Sequence, residues 1–375
     1  MSDYFLADDL SGALDAAAAF HRVGRRVRIV LAVGSWPETE PDEVIGITTE
    51  TRNAAPAAAA RVVAEVVGTA RVRGHRLLYK KIDSTLRGPV AAELAALRAA
   101  WPEARVLFAP ANPAVGRTVS EGRLLVRGVP VAETEFGRDP LWPVRESSLR
   151  RVLGPAADAA VEVPDANTAS DLAAAVAAMK RREGPWVAIG SGALAVPVAA
   201  EHTPGGSGWA LGRSAAVSGD RGRILMLGGS AHPGNRRQAA VLSERRCVPV
   251  VTLDLRAPRP TVEAALAAVR AHGGVSLVTP GERWPAAEAL RAMVAAAVTV
   301  LAEGEVRRLF VTGGETAFAL AAELGVTEFA YRAEIEPGLA VAESGHGIAA
   351  RVWTVKPGGF GDEETWVRAW EALRG

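Results

Sequence analysis

The stretch LLYKKIDSTLRGP, Leu77 to Pro89, runs an apolar segment directly into Lys80, Lys81, Asp83, Ser84, Thr85 and Arg87. Cations of this kind neutralise a carboxylate or a phosphate, while acids and hydroxyls beside them bind alcohols. Two other segments offer matching groups. FLADDLSGALD places Asp8 and Asp9 between a short strand and a helix, and ITTETRN supplies Thr49, Thr51 and Arg52. Helix capping would account for one acid; the second, with Asp15 one to two turns on, exceeds that need. A loop arginine is usually solvated, so Arg52 gains meaning from its company. Taken together these groups suit a small polyhydroxylated acid.

The second half carries a different chemistry. LMLGGSAHPGN puts Gly228, Gly229 and Ser230 at a strand end, and LFVTGGETAF puts Gly313, Gly314, Glu315 and Thr316 between a strand and a helix. VKPGGFG adds Lys356, Gly358 and Gly359. Glycines in such turns let backbone N–H groups approach an anion, and the helix dipole favours negative charge. One such turn is only a turn. Three in one domain point to phosphate or nucleotide binding. The Walker lysine motif and GxGxxG are both absent, as are a GxSxG elbow and a histidine pair at metal-ligand spacing.

These segments need elements that gather them. Short apolar runs alternate with alanine-rich amphipathic stretches along the chain, the pattern of α/β architecture with largely parallel sheets. Strands are expected at VRIVLAV, EVIGITTE, RLLYKK, RVLFAPA and WVAIGSG, and again at RILMLGG, VPVVTLDL, VSLVTP and RRLFVTGG. In open sheets of this class, ligands sit at the carboxyl ends of strands. All the groups named above fall there. The segment from Ala109 to Leu149 reads as long and irregular, with Gly116-Arg117-Thr118 and Asp139-Pro140 its most distinctive points; such segments are usually functional when ordered. The C-terminal part reads as short antiparallel strands closed by a helix.

The 375 residues suggest two domains. The glycine- and serine-rich run 205–222 reads as a linker between domains at 1–204 and 223–375. With 43 basic against 42 acidic residues, no global field points to nucleic acid or to an anionic membrane. No uncharged apolar run approaches the roughly 20 residues of a membrane span. The N-terminus does not read as a signal peptide, so a cytoplasmic protein is expected. The single cysteine, Cys247, excludes an intrachain disulfide and reads as a buried thiol at the start of a strand. Oligomeric state is open, a homo-oligomer included.

The order ADDLSGALD, TETRN, KKIDSTLRG and PANPAVGRT, then GGS, GGETA, EPGLAV and KPGGFG, resembles the four-carbon acid sugar kinases. The resemblance runs from Leu6 to Glu364, and ADDLSGALD with KIDSTLRG is its most specific pair. It implies an N-terminal domain that binds the sugar acid, a C-terminal domain that binds ATP, and an active site in the interdomain cleft. By motif position it implies substrate contact for Asp9, Arg52, Lys81, Ile82, Asp83, Ser84 and Arg87. It implies ATP contact for Ser230, Gly313, Gly314, Glu315, Thr316 and Gly359. The family usually has threonine at Ser11, serine at Ala317 and Lys-Ser-Gly-Asn where Lys356-Pro357-Gly358-Gly359 stands.

The resulting expectation is an ATP-dependent kinase, with Mg²⁺ bridging the nucleotide phosphates and no protein metal site. It would phosphorylate threonate, erythronate or an oxo-tetronate, at the terminal hydroxyl. Arg52 and Lys81 would partner the carboxylate and phosphate, and either Asp9 or Asp83 would orient or deprotonate the acceptor hydroxyl. The alternative from another class is a non-catalytic sugar-acid-binding or regulatory protein on the same scaffold. A nicotinamide-dependent dehydrogenase is disfavoured by the missing dinucleotide fingerprint.

Overall fold

The computed structural model describes residues 2–31, 36–40, 42–139, 141–202, 222–230, 232–280, 284–345 and 351–375. The chain divides into two compact units, residues 1–210 and 211–375. The expected linker, apart from Gly222, lies outside the described residues, as does Pro140.

In the first unit the main strands are β1 (Asp3–Ala7), β2 (Arg26–Val30), β3 (Glu43–Thr48), β4 (Arg76–Lys81) and β5 (Arg105–Ala109). A small sheet follows, made of β6 (Arg117–Ser120), β7 (Arg123–Val126) and β8 (Val129–Pro130), before β9 (Val161–Glu162) and β10 (Trp186–Gly190) return to the main sheet. The main order is β2-β3-β1-β4-β10-β5-β9, with every neighbouring pair parallel. Strands buried on both faces read as continuous apolar runs, which is why VIGI, LLY and VLFA carry so little alternation. The chain moves from β3 on one side of β1 to β4 on the other. This reversal opens a crevice at the carboxyl ends of β3, β1 and β4.

Helices α1 (Leu10–Arg22), α2 (Pro56–Val72), α3 (Val90–Ala100), α4 (Leu149–Leu153), α5 (Ala169–Lys180) and α6 (Gly192–Glu201) complete this unit. Alanines on α1 let it lie close to the sheet, with Ala13, Ala16 and Ala17 fully buried. The segment expected to be irregular instead contains the antiparallel β6-β7-β8 sheet, with β6 and β7 joined across Glu121-Gly122. Its strands are four residues or shorter, too brief to register as periodicity.

The second unit contains β11 (Arg223–Gly228), α7 (Pro233–Arg246), β12 (Val250–Thr252), α8 (Pro258–His272), β13 (Gly274–Val278), α9 (Ala286–Glu303), β14 (Val306–Thr312) and α10 (Gly314–Glu323). It continues with β15 (Glu328–Glu336), β16 (Leu339–Ser344), β17 (Arg351–Lys356) and α11 (Thr365–Arg374). The strands run β12-β13-β11-β14-β17-β16-β15. They are parallel from β12 to β17, and β16 and β15 pair antiparallel at the end. Trp366 and Trp370 of α11 pack with Met226, Phe310 and Leu242 to form the core on one face. Cys247 is exposed, which corrects the expectation of a buried thiol. It ends α7 in a left-handed conformation, φ 55°, and the next residue, Val248, takes the buried position.

Candidate active site

In the first unit, the crevice collects side chains from three strand ends. Asp9 caps α1, accepting from the Gly12 N–H at 2.7 Å and the Ser11 hydroxyl at 2.6 Å. Capping therefore does use one of the two acids. Asp8 is almost fully buried and receives Arg52 at two points, Nε to Oδ2 at 3.0 Å and Nη2 to Oδ1 at 2.7 Å. The third guanidinium nitrogen reaches Asp9 Oδ2 at 2.5 Å. Burial works against the Asp8 carboxylate, yet the Arg52 charge outweighs it and holds the group below its ordinary range. Arg52 thus fixes both acids, and two of its five N–H groups remain unspent on them.

Lys80 and Lys81 separate cleanly, because successive strand residues face opposite sides of a sheet. Lys80 points beneath α3, with Nζ 2.8 Å from Glu93 Oε2; both side chains are 1% exposed. The contact is an ion pair without hydrogen-bond alignment. The Thr51 hydroxyl also donates to Glu93, and Thr49 bonds the Ala7 carbonyl at 3.0 Å. This buried set anchors the loop that carries Arg52. Lys81 faces the crevice, 3.6 Å from Asp15.

After β4 the chain turns sharply. Ile82 is buried, its N–H bonded to the Gly190 carbonyl at 2.9 Å, so its side chain serves the core. Asp83 accepts from the Thr85 hydroxyl and from Arg87 Nε at 2.7 Å. Burial opposes the charge on Asp83, but Arg87 and Arg52 overcome it and keep the carboxyl well below the usual range. Gly88 has φ +100°, and a Cβ there would come 3.1 Å from the Arg52 carbonyl. That close approach seats the KIDSTLRG turn against TETRN.

Two further side chains stand at this crevice with no role expected for them from sequence. Glu50 sits at the end of β3 with φ 48°, accepting from the Thr48 hydroxyl at 2.5 Å. Burial, and then the charge of Asp9, push its carboxyl up to about 8. A non-glycine residue held at positive φ is a structural signal that sequence does not display. Arg117 opens β6, donates to Ser84 Oγ and lies 5.5 Å from the Phe136 ring centroid. The GRT motif drew notice to it, without a role.

In the second unit, the adjacent strands β11, β14 and β17 end at the three glycine turns. The Gly313 N–H donates to the Lys356 carbonyl at 2.8 Å, and the Ser230 N–H to Thr312 Oγ1 at 3.4 Å. A Cβ on Gly358 would lie 2.8 Å from Ser230 Oγ. The turns therefore touch one another. Gly313, at φ 93° and ψ 124°, begins α10 without a capping side chain. The first N–H groups of that helix are open to an anion, with Thr316 buried behind them and Glu315 exposed. Lys356 is buried and donates to the carbonyls of Pro357, Gly358 and Phe360 at 3.2, 2.8 and 2.8 Å. Burial brings its ammonium down to about 7. Gln238 of α7 holds the same loop through the Phe360 and Asp362 carbonyls. Gly359 is exposed at the loop's tip. This cradle suits a polyphosphate. Among the described residues no cluster of three or more His, Cys, Asp or Glu could hold a metal ion, and no helix is long and apolar enough to cross a membrane.

Comparison with known proteins follows the same division. Residues 4–189 match a sugar-binding N-terminal domain family and residues 225–366 a nucleotide-binding C-terminal domain family. A D-threonate kinase of Bordetella bronchiseptica is 35% identical over 410 residues, covering 98% of this chain and 96% of the relative. A D-threonate kinase of Cupriavidus necator is 32% identical, covering 100% and 98%. A 3-oxo-tetronate kinase of Methylobacterium radiotolerans is 29% identical, covering 98% of each. A crystallised Salmonella typhimurium protein shares the fold, with TM-score 0.79, 24% identity and 98% coverage of each chain.

Proposed function

The chain belongs to the four-carbon acid sugar kinases, and from that premise we propose how its residues divide the work and which acid they take. The protein uses ATP to phosphorylate an alcohol group of a four-carbon sugar acid. We propose D-threonate as the acceptor, because the D-threonate kinases of Bordetella bronchiseptica and Cupriavidus necator, at 35% and 32% identity, are more similar to this chain than the 3-oxo-tetronate kinase of Methylobacterium radiotolerans, at 29%. The terminal hydroxyl is the proposed point of attack. The observation that carries this reading is full-length likeness to such kinases combined with two clusters of opposite character, one of acids and cations and one of glycine turns.

In this scheme Asp9, Arg52, Lys81, Ile82, Asp83, Ser84 and Arg87 form the acceptor site, Ile82 through its backbone. Ser230, Gly313, Gly314, Glu315, Thr316 and Gly359 form the nucleotide site. Phosphoryl transfer asks the protein for orientation and charge neutralisation more than covalent chemistry. The nucleotide would enter as its Mg²⁺ complex, held through phosphates, which accords with a cradle built of N–H groups. Asp83, kept anionic by Arg87 and Arg52, accepts hydrogen bonds well but takes up a proton poorly. On that ground we propose Asp83 for orienting hydroxyls and Asp9 for receiving the proton of the attacking one. We propose a cytoplasmic location, where ATP is supplied.

The test is ADP release with MgATP against D- and L-threonate, D- and L-erythronate and their oxidised forms. D-threonate should give the highest kcat/KM, and Asp9→Asn should lower turnover by orders of magnitude with ATP binding retained. Preference for another tetronate would replace the acceptor. Silence across the panel by folded protein that still binds a tetronate would favour a sensor on the same scaffold.

A further inference from the structure

The cations at the crevice are matched almost one by one with acids of the protein itself. Arg52 is bonded to Asp8 and Asp9. Lys81 has Asp15 at 3.6 Å, and Arg87 has Asp83 at 2.7 Å and Asp139 at 3.6 Å. Arg117 stands apart. Among the described residues it forms no ion pair with a carboxylate, and its Nη1 donates to the neutral hydroxyl of Ser84. Asp83 is felt at longer range, but that carboxylate already serves Thr85 and Arg87.

Its surroundings shield it partly from solvent and supply carboxylates only at a distance, from Asp83, Glu135 and Asp15. Phe136 covers the guanidinium at 5.5 Å, and Arg87 lies 5.8 Å over the same ring. Burial, and then the neighbouring charge of Arg87, lower the basicity of Arg117, with Asp83, Glu135 and Asp15 opposing from beyond ion-pair distance. The backbone beneath is fixed, since the Arg117 N–H donates to the Asn112 carbonyl at 3.0 Å and the Asn112 N–H to the Arg117 carbonyl at 2.7 Å. A planar fork that is partly shielded, held in place and left with free N–H groups matches a carboxylate at two points. The substrate's ground-state charge is one carboxylate.

We infer that Arg117, beside Ser84, is the receptor for the substrate carboxylate, while Arg52 serves to hold Asp8 and Asp9. The inference rests on the kinase reading and names the group that selects an acid over a neutral polyol. It also shifts the carboxylate from Arg52 and Lys81, where motif position alone would put it.

The experiment compares threonate with its primary amide, using the full chain and MgATP. Wild type should prefer the acid. In Arg117→Met, kcat/KM for the acid should fall about 100-fold, the scale of a charge-assisted pair, through KM more than kcat. The amide should change by only a few-fold, so the acid-over-amide ratio collapses. Arg117→Lys keeps the charge without the fork and should lose about 10-fold of that ratio; it decides the matter if the methionine variant does not fold. A wild-type ratio in both variants overturns the inference. A parallel loss on acid and amide, carried by kcat, also overturns it and moves Arg117 to the transferred phosphoryl group. Calorimetric binding of threonate needs no turnover. It therefore reads Arg117 even if wild type proves inactive, an outcome that would count against the kinase reading alone.

Discussion

Arg52 holds Asp8 through two nitrogens, at 3.0 and 2.7 Å, and reaches Asp9 with the third. The two acids are adjacent in sequence yet cannot exchange roles. One is a buried counter-ion and the other caps α1 at the crevice. Asp8→Asn would leave Arg52 with a weakened grip, and Arg52→Lys would keep the charge but lose the directions that link the two acids. Both variants should lower kcat/KM for the sugar acid at least ~10-fold, the least expected when a charge-assisted hydrogen bond is lost. The KM for ATP should stay near wild type. Steady-state kinetics with each substrate varied separately decides this, and normal sugar-acid kinetics in the folded variants would contradict it.

Lys80 and Glu93 make a stability prediction rather than a catalytic one. Each is 1% exposed, and Thr51 ties Glu93 to the Arg52 loop. Replacing one partner strands the other charge in the interior, at a cost of roughly 3–5 kcal/mol. Glu93→Leu or Lys80→Met should each reduce unfolding free energy by about that amount. The double variant should recover much of it, since an apolar pair of similar volume is often tolerated. Chemical denaturation of all four proteins measures the coupling. Additive losses would show that the two charges do not stabilise each other.

The two lysines also show what could be read in the sequence and what could not. That β4 would end in polar groups at a ligand-binding edge followed from the α/β pattern and the strand-end rule, and so did the positions of Asp9, Arg52 and Asp83. Which lysine faces the crevice depends on the phase of one strand, and a strand buried on both faces carries no alternation to reveal it. The division of labour between Asp8 and Asp9 depends on where Arg52 reaches. Glu50 falls at the end of the expected strand EVIGITTE with nothing to mark it; its environment comes from Asp9 and Thr48, brought together by tertiary structure. Arg117 stands out in sequence within GRT, but the strand that positions it is too short to read as periodicity. Cys247 was misplaced because the turn ending α7 needed one more residue than the apolar pattern suggested.

Gly229 meets Thr316 at the junction of two nucleotide turns. A Cβ on Gly229 would overlap Oγ1 and Cγ2 of Thr316 and stand 2.8 Å from its Cβ. Because the obstruction includes the threonine Cβ, rotation of that side chain cannot clear it. Gly229→Ala must therefore push the β11 turn away from the start of α10. The expected result is an ATP KM raised at least ~10-fold, about 1.4 kcal/mol. Threonate binding in the absence of nucleotide should be unchanged, because the clash is confined to the second unit. Calorimetry with ADP and with threonate separates the two effects. Unaltered ADP affinity would remove this junction from the nucleotide site.

Glu50 yields a pH dependence with a definite sign. Its carboxyl titrates at about 8 in the folded protein against a reference of 4.5, through burial first and the charge of Asp9 second. Between those values the unfolded chain has released the proton and the folded chain still holds it. The unfolded state then binds fewer protons, so this group makes stability fall as pH rises from about 4.5 to about 8. Below that window both states are protonated and above it both are ionised, so the slope ends at each side. Glu50→Gln keeps an acceptor for the Thr48 hydroxyl and removes the titration. Its melting temperature should therefore gain on wild type steadily from pH 5 to pH 8. Wild-type turnover should also bend near pH 8, where a second negative charge appears beside Asp9, and the glutamine variant should lack that bend. Parallel melting curves across this range would mean that Glu50 is ionised throughout and that its charge is met by a partner other than Thr48.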